Sequence, residues 1–150
     1  MHAHAHATDR LEAFAILRIR LGFARVVPNV EAFAAAFHAR LFERVPAMRA
    51  LFADDASRRC ATLKRTLIVL MTNLNRPTEL TSLLAALGSQ HRWQEITPAQ
   101  CTIVGESFID TLAEHLGDRF TQDDRAAWTA LLRHVTTLVT ADAARTAAAA

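Results

Sequence analysis

The side chain with the clearest capacity for chemistry in this chain is His91, within the stretch LLAALGSQHRWQEITP from Leu83 to Pro98. Leu80, Leu83, Leu84 and Leu87 recur at helical spacing, and His91 follows Leu87 by four positions and Leu84 by seven. Its imidazole therefore points the way the leucines point. A neutral imidazole carries one N–H donor and one lone-pair nitrogen. On an apolar face it is either satisfied by a backbone carbonyl or presents a nitrogen to something held in the core. The local pattern alone favours the first, because most interior histidines are structural. Cys60 and Cys101 also lie inside apolar helical patterns, without Cys-x-x-Cys or zinc-type spacing, so buried free thiols are expected. There is no glycine-rich phosphate loop, Gly-x-Ser-x-Gly elbow or His-Glu-x-x-His pair. His2, His4 and His6 of MHAHAHATDR can chelate nickel or copper weakly, but this low-complexity start reads as a disordered tail over 1–8.

The elements that must position His91 read as helices throughout. One hundred and fifty residues suit one domain. Half of them are apolar, alanine- and leucine-rich, with four glycines, four prolines and no tyrosine. Sandwiches and barrels need more turn glycines and more β-branched or aromatic strand residues. Thr8-Asp9 reads as an N-cap for a helix of about Asp9 to Val26, ending before Pro28. A second helix, Asn29 to Arg44, carries Val30, Phe33, Phe37 and Leu41 on one face. Pro46 opens a short turn that ends at Phe52, and a long helix then spans about Ser57 to Leu74. NRPT breaks it, and the His91 helix runs from about Pro77 to Gln90. Thr97-Pro98 starts the next helix, which runs to Leu116 and is capped by Gly117. Thr121 caps a last helix reaching about Ala144, with Trp128, Leu131, Leu132, Val135, Leu138 and Val139 buried. One domain over 9–146, with 147–150 frayed, is the expected organisation.

Charge and length exclude several classes. A net charge of +2, with lysines and arginines scattered among acids, gives no nucleic-acid stripe. The start has neither the charged nor the apolar region of a signal peptide, and no apolar run is long enough to span a bilayer. A soluble cytoplasmic protein is expected, a monomer or homodimer that touches neither nucleic acid nor membrane.

Three stretches carry a family resemblance: VVPNVEAFAAAFHARLFERVPAMRALF, LGSQHRW and ITPAQCTIVGESFIDTLAEHLGDRFTQDDRAAWTALL. They resemble the B and C helices, the end of the F helix, and the G and H helices of bacterial globins, above all the globin domain of flavohaemoglobins. The resemblance runs from about Asp9 to Thr140. It is carried by the order Phe52, a helix, His91, Thr-Pro, Val-Gly and Trp128. It implies an all-α globin fold, a 3-over-3 helical sandwich around haem b. It makes His91 the proximal iron ligand and Phe52 the phenylalanine stacked on the macrocycle, with Leu63, Leu87, Ile96, Val104 and Phe108 around it. An imidazole at the end of an apolar helix suits that role, its other nitrogen held by a carbonyl one turn back.

On the distal side the chain departs from the pattern. The family usually places tyrosine where His38 stands and commonly glutamine where Arg59 stands, with a leucine four residues on, here Leu63. Cys101 stands where flavohaemoglobins carry a tyrosine near the proximal histidine, and no matching glutamate occurs in the last helix. His38 shares a face with Leu41 and Phe42, which predicts burial. It hydrogen-bonds a ligand or intervening water, or ligates iron, or simply packs; the first is preferred, because in the resembled fold this helix is usually too far from the iron. Arg59 is a permanent cation without a lone pair, so it cannot ligate iron. It either reaches a propionate or an anionic ligand at the pocket mouth, or is solvated and paired with the acids of ADD. Arg92 is a second propionate candidate. The resemblance implies reversible binding of O2, NO or CO, with oxygen binding or transport, or NO detoxification through a separate reductase, as outcomes. A peroxidase-like or nitrite-reducing enzyme and a gas or redox sensor are the alternatives; no segment here reads as a sensor's output domain.

Overall fold

The computed structural model describes residues 11–149, with side chains through residue 141. The histidine-alanine start, the Thr8-Asp9 cap and residue 150 lie outside the described residues. Helix α1, Ala13–Val26, starts after an extended Glu12 rather than at Asp9. It ends in the 3-10 turn Val27–Asn29, where Pro28 fixes the backbone and removes a donor. Helix α2 spans Val30–Arg44 and buries Phe33, Phe37 and Leu41 at four-residue spacing, as the pattern requires. A 3-10 segment, Pro46–Leu51, leads to extended Phe52.

Helix α3, Ala56–Thr72, begins with the Asp55 carboxylate accepting from the Ser57 backbone N–H at 2.9 Å. Helix α4, Pro77–Gln90, has the expected bounds. Helix α5, Pro98–Leu116, opens on a capping box. The Thr97 hydroxyl accepts from Gln100 N–H at 3.1 Å, and the Gln100 side chain accepts from Thr97 N–H at 3.0 Å. Helix α6, Gln122–Ala149, begins on a similar reciprocal pair between Thr121 and Asp124 and runs past the expected Ala144. No strand occurs among the described residues.

The helices form the expected three-over-three sandwich. Helices α2, α5 and α6 pack in succession, α3 and α4 pack on each other and on α2 and α6 respectively, and α1 lies against α5 and α6. Two arginines set the α2–α5 register. Arg40 donates to the Thr111 hydroxyl at 2.9 Å and pairs with Glu114. One turn on, Arg44 donates to the Ser107 hydroxyl at 3.2 Å and pairs with Asp110 at 2.6 Å. Ser107 and Thr111 are fully buried, so these bonds satisfy groups that water cannot reach.

Some expected burials are corrected. Leu83 is 41 % exposed, because three adjacent leucines make a wider stripe than the α4 contact covers. Cys60 and Cys101 are free but only half-buried, and Cys101 lines the central cavity. At the centre, Trp128 is 1 % exposed, with the Phe108 ring 5.5 Å away and Gly22 of α1 against its indole edge.

Candidate functional site

The packing of α2, α3, the end of α4 and the inner faces of α5 and α6 leaves a mostly apolar cavity of ≈ 430 Å³. Close-packed interiors leave few voids larger than a water molecule. A cavity of this volume belongs instead to the range of small-molecule and cofactor sites. His91, Phe52, Leu63, Ile96, Val104, Phe108, His38, Arg59 and Arg92 all line it. Leu87 does not. It is buried, but α4 ends at Gln90 and His91 leaves the helical backbone at φ −117, ψ 18, so ring and leucine part company.

His91 is the C-cap of α4, its backbone N–H donating to the Leu87 carbonyl at 3.1 Å. Its ring atom Nε2 is buried and has no hydrogen-bond partner. Among the described residues no carbonyl holds the ring, in contrast to the expected bond one turn back. A buried unpaired nitrogen is costly unless something else takes its lone pair or proton. Arg92 follows at φ +61, the left-handed conformation usual after a helix C-cap but normally filled by glycine. That turn sends Trp93 back onto the cavity. The Arg92 guanidinium pairs with Glu95, with one bond of 3.0 Å, and 57 % of its side chain is exposed. Its charge is thus already partnered in solvent, which argues against the propionate role.

His38, from α2, also lines the cavity; it is 5 % exposed and enclosed by aromatics. The Phe37, Phe52 and Phe42 rings lie 5.1, 5.6 and 6.0 Å from its own. Burial pushes its pKa down to about 4, helped by the positive charge of Arg59 and opposed by a hydrogen bond to the Ala34 carbonyl. At neutral pH His38 is therefore an uncharged imidazole. Because the unfolded chain binds that proton near 6.5 and the folded one only near 4, stability is full above 6.5 and falls as pH drops towards 4. The loss is at most about 3 kcal/mol, from 1.36 kcal/mol per unit. His38→Leu is expected to remove this component, so in denaturant titrations the wild type should lose stability relative to the variant as pH falls from 6.5 towards 4. Parallel profiles would show that the ring is not held neutral.

Of the two readings open for Arg59, pairing with the ADD acids is not seen among the described residues. Its Nη1 donates to the backbone carbonyls of Ala53 and Asp54 at 2.8 and 2.9 Å. Its guanidinium carbon lies 5.6 Å from the Phe42 ring centre, and its Nε is buried without a partner. Sequence reasoning missed Trp93, whose placement depends on the unusual backbone at Arg92. It also missed Thr62 and Thr66, one turn apart on the cavity face of α3, which helical spacing from Leu63 and Leu67 could have revealed.

The globin family model matches residues 35–139, well over half the chain. The chain is a globin. A flavohemoprotein of Rhizobium meliloti (strain 1021) is 26% identical over 95 residues, 61% of this chain and 24% of that protein. The crystal structure of flavohemoglobin from Malassezia yamatoensis, with bound FAD and heme, aligns with a TM-score of 0.76 at 17% identity. That match covers 92% of this globin and 38% of that chain. This globin therefore spans well under half the length of both proteins. The residues present fit a haem: one buried, unpartnered imidazole nitrogen on a mostly apolar cavity that Phe52 also lines.

Proposed function

We propose that this globin holds haem b through His91 Nε2 and reversibly binds a diatomic gas, O2, NO or CO. The observation that carries the reading is the unpartnered Nε2, buried on the ≈ 430 Å³ cavity. Bound there, haem supplies an iron centre with a coordination position open to a gas. The protein's own residues do the rest. Phe52, Leu63, Ile96, Val104 and Phe108 exclude water from the macrocycle. Neutral His38, its N–H engaged by the Ala34 carbonyl, offers its other ring nitrogen as an acceptor to a water that in turn donates to the gas ligand. Oxygen storage or transport needs no further protein, whereas sustained NO removal needs electrons, which a separate reductase supplies. The flavin of the Malassezia yamatoensis protein supports a partner of that kind.

Titration with hemin is the deciding measurement. A saturable Soret band at one equivalent is expected, with shifts on reduction and on carbon monoxide addition. Protein that leaves hemin spectroscopically free would end the reading. A low-spin bis-histidine ferric spectrum that disappears in His38→Ala would make His38 a sixth ligand rather than a hydrogen-bond partner. A nitrite-reducing reading is favoured by one feature, the unpartnered cationic Nε of Arg59.

A further inference from the structure

Among the described residues, Arg59 is the charged group of the cavity that no acid neutralises. Neither aspartate nor glutamate lines the cavity. The ion pairs among the described residues join Arg18, Arg40, Arg44, Lys64 and Arg92 to acids, and Arg59 is in none of them. Its position is nonetheless fixed. Two loop carbonyls hold Nη1 at 2.8 and 2.9 Å, and the Phe42 ring lies against the guanidinium. These are uncharged partners, so they orient the cation without cancelling it. Of the N–H groups these bonds leave over, Nε is buried and without an acceptor. A buried cationic donor aimed at no acceptor is costly in the protein alone, and an incoming anion would recover that cost through a short, charge-assisted bond.

The surroundings decide what kind of ligand gains most. The neighbouring groups are aromatic or uncharged: Phe42, Phe52 and the neutral imidazole of His38. On the Nε side, which is shielded from water while the Nη1 bonds are exposed, low polarity strengthens attraction to an anion. A neutral gas gains little from a full positive charge, whereas a small monoanion gains a counter-ion and a donor together. We propose that Arg59 makes this wall of the cavity an anion-recognising subsite, which selects small monoanions such as nitrite or azide as the ligand opposite His91. The inference rests on the haem reading above and adds a ligand class to it. The same chemistry would also suit a carboxylate of the cofactor itself, and the two sources are separable by experiment.

The test uses the hemin-reconstituted ferric protein, with Soret shifts followed during titration with sodium azide, sodium nitrite and neutral imidazole at constant ionic strength. Arg59→Gln is expected to weaken azide and nitrite binding by about tenfold or more, the scale of one charge-assisted bond, and imidazole binding by less than about twofold. Arg59→Lys, which keeps the charge but not the fork, is expected to lie between, and it serves if the glutamine variant folds poorly. Repeating the titrations with hemin dimethyl ester should leave the anion effect intact. Equal losses for all three ligands, or unchanged azide and nitrite affinity, would overturn the proposal. It would equally fall if Arg59→Gln impaired retention of hemin but not of its dimethyl ester, since Arg59 would then hold the cofactor's carboxylate. Absence of any Soret band in the wild-type protein would instead remove the haem reading beneath it.

Discussion

His91→Ala is expected to lose haem while keeping the fold. The side chain supplies the one buried, unpartnered imidazole nitrogen on the cavity, and no cluster of metal-binding side chains occurs among the described residues to replace it. Changing a residue that merely supports a metal ligand costs about 10–100-fold in affinity, so removing the ligand itself should raise the rate of hemin loss by about 100-fold or more. Added imidazole should restore part of the ferric spectrum, because the truncated side chain leaves room for it. Stability without hemin should move the other way. His91 is a half-buried helix C-cap whose Nε2 has no partner, so its removal relieves an unsatisfied polar group. Denaturant midpoints measured without hemin should therefore stay level or rise slightly. A variant that binds hemin as tightly as the wild type would reassign the ligand, and one that unfolds would make His91 structural.

The largest effect on folding is expected where α1 crosses α6. A Cβ added to Gly22 would lie 2.8 Å from Trp128 Nε1, closer than side-chain carbons approach. Trp128 is 1 % exposed and packs on Phe108, so its ring can yield only by shifting into the cavity it lines and giving up that packing. Gly22→Ala is expected to cost about 1–3 kcal/mol through overpacking, despite the better helix propensity of alanine. Trp128→Ala is expected to cost about 3–5 kcal/mol, the scale of a large aromatic lost from a core. The double variant should be more stable than the sum of the two losses predicts, by about 1–2 kcal/mol, because the added methyl meets nothing once the indole is gone. Urea unfolding of the four proteins gives that coupling directly. Additive losses would mean that the glycine matters for some reason other than the indole. Since Trp128 also lines the cavity, its truncation should speed hemin loss as well.

Much of this site could be read before any coordinates, and the exceptions share a cause. The Thr97 capping box, the Pro77 and Pro98 starts and the Phe33, Phe37, Leu41 stripe rest on residues close in sequence, and each appears where its local chemistry puts it. Leu83 was misjudged because spacing gives a direction around one helix axis but not the width of the neighbour that covers it, and Leu87 because the helix ends before His91, so their shared face does not carry over to the ring. Arg92 takes a backbone conformation normally left to glycine, so Trp93 returns to the cavity with no local signal to announce it. For Arg59, helical spacing left two readings open, a pocket-mouth contact and pairing with the nearby acids. The loop closes so that its carbonyls, not its carboxylates, reach the guanidinium.

The sequence alone determined the helices, their order and the presence of His91 at the end of an apolar one. Hydrophobic period and capping act over a single turn or two. Charge states and partnerships in the cavity were decided only by the tertiary structure. That His38 is held neutral by aromatic rings from its own helix and from Phe52, and that Arg59 meets no acid, depend on distances between segments that only the packing of α2 and α3 creates. Desolvation and Coulomb interactions depend on those distances, and helical spacing does not encode them.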